Sequence, residues 1–361
     1  MDKRAISFLT VVWRLVEMRD TVGSVFAFAF AVSVALASVA FSQETMQQRE
    51  ARLIEGAKRE GKVVWWTPGA ARDLQKILAK FRERYPFLQT ELWRAGGSEV
   101  QAKFFSEARA GVYNVDFTGT DIEDLLEVKK AGLMKKYDWP NAREWAPGRY
   151  RDPEGYWVAR HVLVAVIMYN NELISPAEAP KSWEDLLNTK WKDQISMSKG
   201  HDWALMLWSA WGKEKTVKYL KELSKNKLAI GAGHNARAEM IAAGAKKIDV
   251  RISLDDVLAY QIKGAPVDWV RSDPIITKGT PMFIAERAPH PNAAMLFADW
   301  LTSLEGQKVY HEARGAVMPH PGLKTQVSEL LKGLNVVPTS ADIAAQSKEV
   351  GKIYTELFWK K

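Results

Sequence analysis

Tyr156-Trp-Val-Ala-Arg160-His161-Val-Leu-Val-Ala-Val-Ile-Met-Tyr169-Asn-Asn171 is the stretch from which the fold is read. From Val162 to Tyr169 it is unbroken apolar and rich in β-branched residues, the pattern of a strand buried on both faces. With its leading half included it runs to about 14 residues, against roughly 5–6 for a typical strand. A strand of that length can serve two sheets in succession, which implies a hinge between two lobes. Arg160 and His161 interrupt the apolar run near its middle, where such a strand would pass the cleft.

The flanks extend this reading. Upstream, a helix over Glu44–Gly61, a strand over Lys62–Trp66 and a helix over Ala71–Tyr85 are followed by a strand over Gln89–Trp93. The glycine pair of Arg94-Ala-Gly-Gly-Ser98 opens another helix, then come a strand over Tyr113–Phe117 and a helix over Ile122–Ala131. Gly132–Gly155, rich in Trp, Pro and Arg, reads as a surface loop. Downstream the alternation resumes, with strands over Gln194–Ser198, Leu228–Ala232, Ile248–Ile252, Pro266–Val270 and Pro281–Ala285. Helices over Trp203–Gly212, Lys215–Asn226, Ala236–Ala243, Asp255–Lys263 and Asn292–Ser303 separate them, and one over about Ala341–Phe358 closes the chain. Repeated β-loop-α units imply an α/β fold with a mainly parallel sheet and helices on both faces.

Composition narrows the function classes. With 361 residues, 47% apolar and 26% charged, the chain has room for two domains of ordinary size. The formal charge is +8, of which one unit falls in residues 1–42. Acids are interspersed throughout and no run of five Lys/Arg occurs, so no nucleic-acid stripe is expected. The absence of cysteine excludes disulfides, thiolate metal sites, Cys nucleophiles and a lipid-modified cysteine. Val22–Phe41 is an uncharged apolar run ending in small residues, Ser38-Val-Ala40 or Ala40-Phe-Ser42, that suit signal-peptidase cleavage. The same run is long enough for a permanent anchor, but the small residues and the polar helix after it favour a cleaved leader over residues 1–42. Export without cysteine points by elimination to a Gram-negative periplasm.

No enzyme or cofactor motif emerges. The six histidines form no His-x-x-x-His pair, Gly97-Ser98 lacks the closing glycine of a nucleophile elbow, and Arg94–Ser98 is neither a P-loop nor a dinucleotide fingerprint. That turn is either a plain strand-to-helix junction or an anion site at a helix N-terminus. What remains is a row of polar and aromatic residues at the carboxyl ends of the strands, where open α/β sheets bind ligands. Trp66 and Thr67 follow the first strand and Asp121 the third. His201, Asp202 and Trp203 follow Ser198, Asn235 follows His234, and Asp255 and Asp256 follow Ser253. The aspartates also suit helix caps, and the tryptophans suit packing as well as ligand stacking. A catalytic alternative would require His161, His201 and Asp202 to converge.

The chain resembles the periplasmic substrate-binding proteins of ABC transporters, of the type that includes ferric-ion binders. The resemblance rests on Leu53-Ile-Glu-Gly-Ala-Lys-Arg-Glu-Gly-Lys-Val-Val-Trp-Trp66, Val115-Asp-Phe117 and Gly132-Leu-Met-Lys-Lys-Tyr137. Lys181-Ser-Trp-Glu-Asp-Leu-Leu187, Pro289-His-Pro-Asn-Ala-Ala294 and Asp299-Trp-Leu-Thr-Ser-Leu-Glu-Gly306 add to it. It implies two discontinuous α/β lobes of the type II-like periplasmic binding fold. The lobes would be 43–160 with about 275–320, and 161–274 with about 321–361. Tyr156–Asn171 would be one crossing strand and about Val267–Ala285 the other. It also implies a solute carrier serving an inner-membrane permease, monomeric and without a resident cofactor.

The family's ferric site carries over poorly. Asp121 matches its acidic ligand, but the adjacent tyrosine pair falls on Leu254-Asp255-Asp256, and no histidine occurs near Pro68–Ala70. Phenolate oxygens suit a hard ferric ion, and two aspartates would bind a cation by another scheme. Asp121, Asp255 and Asp256 suit an amine or a metal chelate, whereas Arg94, Arg160 and Arg237 suit a carboxylate or phosphonate. The sequence leaves both open, and leaves open whether a metal is bound. The candidate ligand-binding set is Trp66, Thr67, Asp121, Arg160, His161, His201, Trp203, Asn235, Asp255 and Asp256.

Overall fold

The computed structural model describes residues 44–231 and 233–359. The expected leader, residues 1–42, lies outside them. Contacts divide the chain at Ala51/Arg52. Of the first unit, the described residues lead into helix α1 (Met46–Glu60), which continues into the second unit. Among the described residues no helix is long and apolar enough to cross a membrane.

The second unit is built on a ten-stranded sheet in the order β2-β1-β3-β9-β4-β7-β5-β6, with β8 added to β4 and β10 to β9. The strands are β1 (Lys62–Thr67), β2 (Gln89–Arg94), β3 (Phe117–Gly119), β4 (Val158–Asn170) and β5 (Ile195–Ser198). They continue as β6 (Ala229–Gly231), β7 (Ile248–Ser253), β8 (Val267–Trp269), β9 (Ile275–Ile284) and β10 (Val336–Pro338). Pairing is parallel at β1–β2, β1–β3, β5–β6 and β5–β7, and antiparallel where β9 and β4 run side by side between the two parallel sets. This is the two-lobed arrangement expected of a periplasmic binding fold, with β4 and β9 as its crossings.

The apolar run decides the core because its two faces feed different clusters. Val164, Val166 and Met168 pack with Ile241, Ile252 and Trp269 on one side. Leu163, Ala165, Ile167 and Tyr169 pack with Met197, Trp203 and Leu207 on the other. A period of two along a strand with no polar face leaves no alternative to burial on both sides. Trp65 and Trp66 divide in the same way. Trp65 joins Phe81, Phe297 and Trp300 under helices α2 (Ala71–Arg84) and α9 (Pro291–Thr302), and Trp66 joins Val100 and Phe104 of helix α3 (Gly97–Arg109).

Several boundaries differ from the sequence reading, each for a local reason. The strand expected over Tyr113–Phe117 begins only at Phe117, because the buried Asp116 carboxylate, not a backbone carbonyl, accepts the Val64 N–H at 2.7 Å. The same carboxylate accepts the His290 N–H at 2.7 Å and so ties β1 to the start of α9. The helix expected over Ile122–Ala131 shortens to α4 (Leu125–Lys130), preceded by a turn in which the Asp124 N–H bonds the Asp121 carbonyl at 3.1 Å. The second crossing is not continuous over Val267–Ala285 but splits into β8 and β9 around a cis Asp273–Pro274 bond. The closing helix divides into a 3₁₀ turn, Ala341–Gln346, and helix α12 (Ser347–Phe358). Helices α10 (Leu304–Arg314) and α11 (Gln326–Leu330) were not anticipated. The Ser303 hydroxyl caps α10 by accepting the Gly306 N–H at 3.1 Å. Between α4 and α9 lie α5 (Asp202–Trp211), α6 (Lys213–Ser224), α7 (His234–Ala242) and α8 (Leu254–Ile262).

Where β3 meets β9, a Cβ on Gly119 would stand 2.5 Å from the Pro281 carbonyl oxygen, a backbone atom that cannot step aside. Gly119→Ala is therefore expected to destabilise the protein by about 1–3 kcal/mol through overpacking. Urea unfolding reads the loss as a lower midpoint with an unchanged slope.

Candidate functional site

β4 pairs with β9 from Val158↔Met282 to Ala165↔Ile276, but the register shifts between Ala159 and Val162. Such a bulge re-aims side chains that would otherwise alternate. Arg160 and His161 both turn inward, leaving 7% and 9% of their surfaces exposed. Arg160 Nη1 donates to the Thr67 hydroxyl at the end of β1, and its Nε lies 3.4 Å from His161 Nδ1. The Thr280 hydroxyl is 3.0 Å from His161 Nδ1 and 3.0 Å from its carbonyl, and the Tyr310 ring stacks on the imidazole at 5.7 Å. A guanidinium N–H can only donate, so Nδ1 carries the lone pair and Nε2 the proton. Burial, reinforced by Arg160, pushes the His161 pKa well down and keeps the ring neutral.

Beside this hinge a small hollow, with a cavity volume of about 20 Å³, is lined by Pro68, Gly97, Gly119, Thr120, Asp121, Arg160, Thr280 and Pro281. Two of the anticipated residues, Asp121 and Arg160, line it, and a third, Thr67, is hydrogen-bonded to Arg160. Asp121 lies across from the first turn of α3, with its carboxylate 3.3 Å from where a Gly97 Cβ would be.

A chain of charges along the crossing strands joins the two lobes. Lys278 of β9, only 3% exposed, places Nζ 3.5 Å from Glu123 in the β3–α4 turn and 3.2 Å from Asp202 at the start of α5. Asp202 also accepts from Arg251 Nη2 at 2.5 Å, and Arg251 Nη1 meets His234 Nε2 at 2.5 Å. His234 Nδ1 is 3.6 Å from Asp256. Asp202 stays below the ordinary carboxylate range, because Arg251 and Lys278 outweigh its burial. Glu123, with Lys278 as its only cation, is pushed up to about 7 by burial. Asp255 is likewise raised by burial and by its neighbour Asp256, while the Ser253 hydroxyl donates to it.

The remaining candidates separate from the cleft. Trp203 is fully buried and its Nε1 donates to the Tyr354 hydroxyl at 3.1 Å, so it packs and presents no face to a ligand. Trp66 is 3% exposed, with Trp93 5.2 Å from its ring and Lys103 over its face at 4.6 Å, which removes it as a stacking platform. His201 bonds the Ser347 hydroxyl at 3.0 Å, and no hydrogen bond links it with His161 or Asp202 among the described residues. Asn235 is exposed in the first turn of α7. Arg237 is locked on Asp249 at 2.9 Å inside the core, and Arg94 Nη1 bonds the Gly69 carbonyl at 3.1 Å. Among the described residues, no three His, Asp or Glu side chains converge to hold a metal ion.

Sequence reasoning missed Glu123, Arg251 and Lys278. The signal existed for two of them. Lys278 is the lone charge inside Ile275–Ile284, as Arg160 and His161 are in the first crossing, and Arg251 sits inside the apolar strand Ile248–Ser253.

The Glu123 environment sets a pH dependence. A carboxyl whose folded pKa is raised keeps its proton in the native state after the unfolded chain has lost it, so stability falls as pH rises from about 4.5 to about 7. Glu123→Gln cannot ionise and is spared that loss. The stability difference between the variant and the parent is expected to grow across this window, in the variant's favour, to at most about 3 kcal/mol above pH 7. Paired urea titrations at pH 4.5 and 8 check it, and a difference independent of pH would refute it.

Comparison with known proteins agrees with this geometry. The family model for bacterial extracellular solute-binding proteins matches residues 123–336, more than half of the chain. The chain is 23% identical over 292 residues to the Fe(3+)-binding periplasmic protein of Serratia marcescens, covering 75% of this chain and 79% of that one. Among solved structures, the ferric binding protein from Campylobacter jejuni superposes with a TM-score of 0.71 at 20% identity, over 82% of this chain and 99% of the other. AfuA from Actinobacillus pleuropneumoniae, a periplasmic binding protein with exogenous fructose-6-phosphate bound, gives 0.70 at 19% identity, over 82% and 97%. The solved structures share the fold of two α/β sets joined by crossing strands, and the family-model match shows that the chain belongs to the bacterial extracellular solute-binding protein family.

Proposed function

We propose that the chain is a periplasmic carrier that closes its two lobes over one small charged solute and hands it to an ABC-type permease, without chemical turnover. The observation that carries this reading is the pair of buried crossing strands whose polar residues, Arg160, His161, Lys278 and Thr280, all lie at the junction of the lobes. The lobes are best divided at the β4 bulge and within β9, near Gly279. From there β9 pairs with β3 in one direction and with β10 in the other. We read the carrier as a monomer with no nucleic-acid partner, since acids and bases are interspersed along the chain.

A ferric carrier is the second reading, favoured by the name of the Serratia marcescens relative. Two features weigh against it. Leu254, Asp255 and Asp256 stand where the resemblance would place the tyrosine pair. The tyrosines near the crossing are also engaged elsewhere. Tyr310 is fully buried against His161, and the Tyr354 hydroxyl donates to the Ser198 carbonyl at 2.6 Å.

The chain has no cysteine, so a Gln75→Cys, Lys221→Cys double variant takes spin labels only at one exposed site in each lobe. Pulsed electron resonance on a panel of ferric citrate, amino acids, polyamines, sugar phosphates and phosphonates is expected to show one class that shortens the interlobe distance. Ferric citrate is expected to give no visible tyrosinate band. Distances that no member of the panel changes would overturn the carrier reading, and a tyrosinate band would restore the ferric one.

A further inference from the structure

Arg160 differs from every other buried cation among the described residues. Arg237 is neutralised by Asp249, Arg251 by Asp202, and Lys278 by Asp202 and Glu123. Among the described residues no carboxylate lies within 4 Å of Arg160, which forms none of the ion pairs. Its partners are a hydroxyl, on Thr67, and the neutral imidazole of His161. A guanidinium stays protonated in proteins, and burying one without a counter-ion is costly. A fold that keeps such a charge at the mouth of its cleft keeps it for an anion that arrives from outside.

The hollow beside it has the donors such an anion needs. The Thr120 hydroxyl is buried there without a partner. The first turn of α3 opens onto it at Gly97, and no acceptor among the described residues takes the N–H of Gly97 or Ser98. A 13-residue helix presents a positive dipole end at those amides. Gly97 and Gly119 add no side chain to the walls.

We infer that this hollow is the subsite for an oxyanion of the solute, a carboxylate, phosphonate or phosphate, held by Arg160, the Thr120 hydroxyl and the Gly97–Ser98 amides. This rests on the carrier reading and adds the ligand's class to it. Asp121 shares the hollow, and its carboxylate lies beyond 4 Å of Arg160. It repels a bare anion and favours one that brings its own hydrogen-bond donor, a hydroxyl or an ammonium, next to the charged group.

Calorimetry with inorganic phosphate, methylphosphonate, acetate and glycolate, with glycerol and putrescine as non-anionic controls, separates the possible sources of the charge. At least one oxyanion is expected to bind saturably, and Arg160→Met to weaken it at least tenfold. Arg160→Lys should retain part of the affinity, and Thr120→Val should cost several-fold. Asp121→Asn is expected to tighten the oxyanions that lack a donor. A thermal melt separates this role from that of a structural brace. With no carboxylate to orphan, unliganded Arg160→Met should melt at or above the parent's midpoint, while Arg237→Met, which strands Asp249, should melt well below it. The inference fails if no oxyanion binds, if Arg160→Met binds them as the parent does, or if Arg160→Met melts as low as Arg237→Met. If putrescine or another ligand without an anionic group closes the spin-labelled lobes, the oxyanion subsite falls while the carrier reading stands. If nothing closes them, the carrier reading itself falls.

Discussion

The antiparallel pairing of Val158–Asn170 with Ile275–Ile284 is the constraint on which the rest of the molecule depends. Each strand leaves one lobe and enters the other without a break, so the sheet order runs β3-β9-β4-β7 through the hinge. Every residue of both strands is buried. Two loops would leave the lobes free of each other, whereas two hydrogen-bonded strands allow bending about one line and little else. The polar residues of the crossing are therefore held in fixed relation to both lobes.

Electrostatics at that line are not uniform. Lys278 joins carboxylates from both lobes, and the chain continues through Arg251 and His234 to Asp256. The Lys278 ammonium is held charged, with its pKa above the ordinary lysine value, because the two carboxylates outweigh burial. Among the described residues, the hydrogen-bond partners of Arg160 are both neutral. The first arrangement supplies its own charge balance and the second does not. A buried ion pair adds little net stability over an apolar isostere, but removing one partner is costly. The Lys278 chain thus balances its own charges, while the Arg160 guanidinium is left to be completed.

Much of the fold was legible because it depends on periodicity. An eight-residue apolar run has one stable placement, and the alternation of Trp65 and Trp66 between two clusters follows from the strand period alone. Boundaries failed where side chains replaced backbone partners, as Asp116 does for Val64, or where capping started an unanticipated helix, as Ser303 does for α10. The candidate site was legible only in part. Asp121 and Arg160 share a hollow, but Trp66 near the end of β1 and Trp203 in the first turn of α5 have their rings turned into the core. Position along a strand identifies which residues are near the cleft; the face is set by packing partners far away in sequence. Tyr354, which takes the Trp203 N–H, is 151 residues distant.

The bulge at Ala159–Val162 connects these points. In a regular strand Arg160 and His161 would face opposite sides of the sheet, and one of them would be pushed into an apolar cluster. The inserted residue lets both lie near the cleft, with Arg160 Nε 3.4 Å from His161 Nδ1. Two cations could not share that space, and burial beside the guanidinium resolves the conflict by keeping the imidazole neutral. As an acceptor, Nδ1 then takes the guanidinium Nε–H, while Nη1 donates to the Thr67 hydroxyl. Neutral His161 thereby orients Arg160 without neutralising it, which a carboxylate at the same position would not do. A hinge braced by a charge-neutral acceptor keeps its full positive charge for the ligand, and that is the physical reason for a histidine beside the arginine in an otherwise apolar strand.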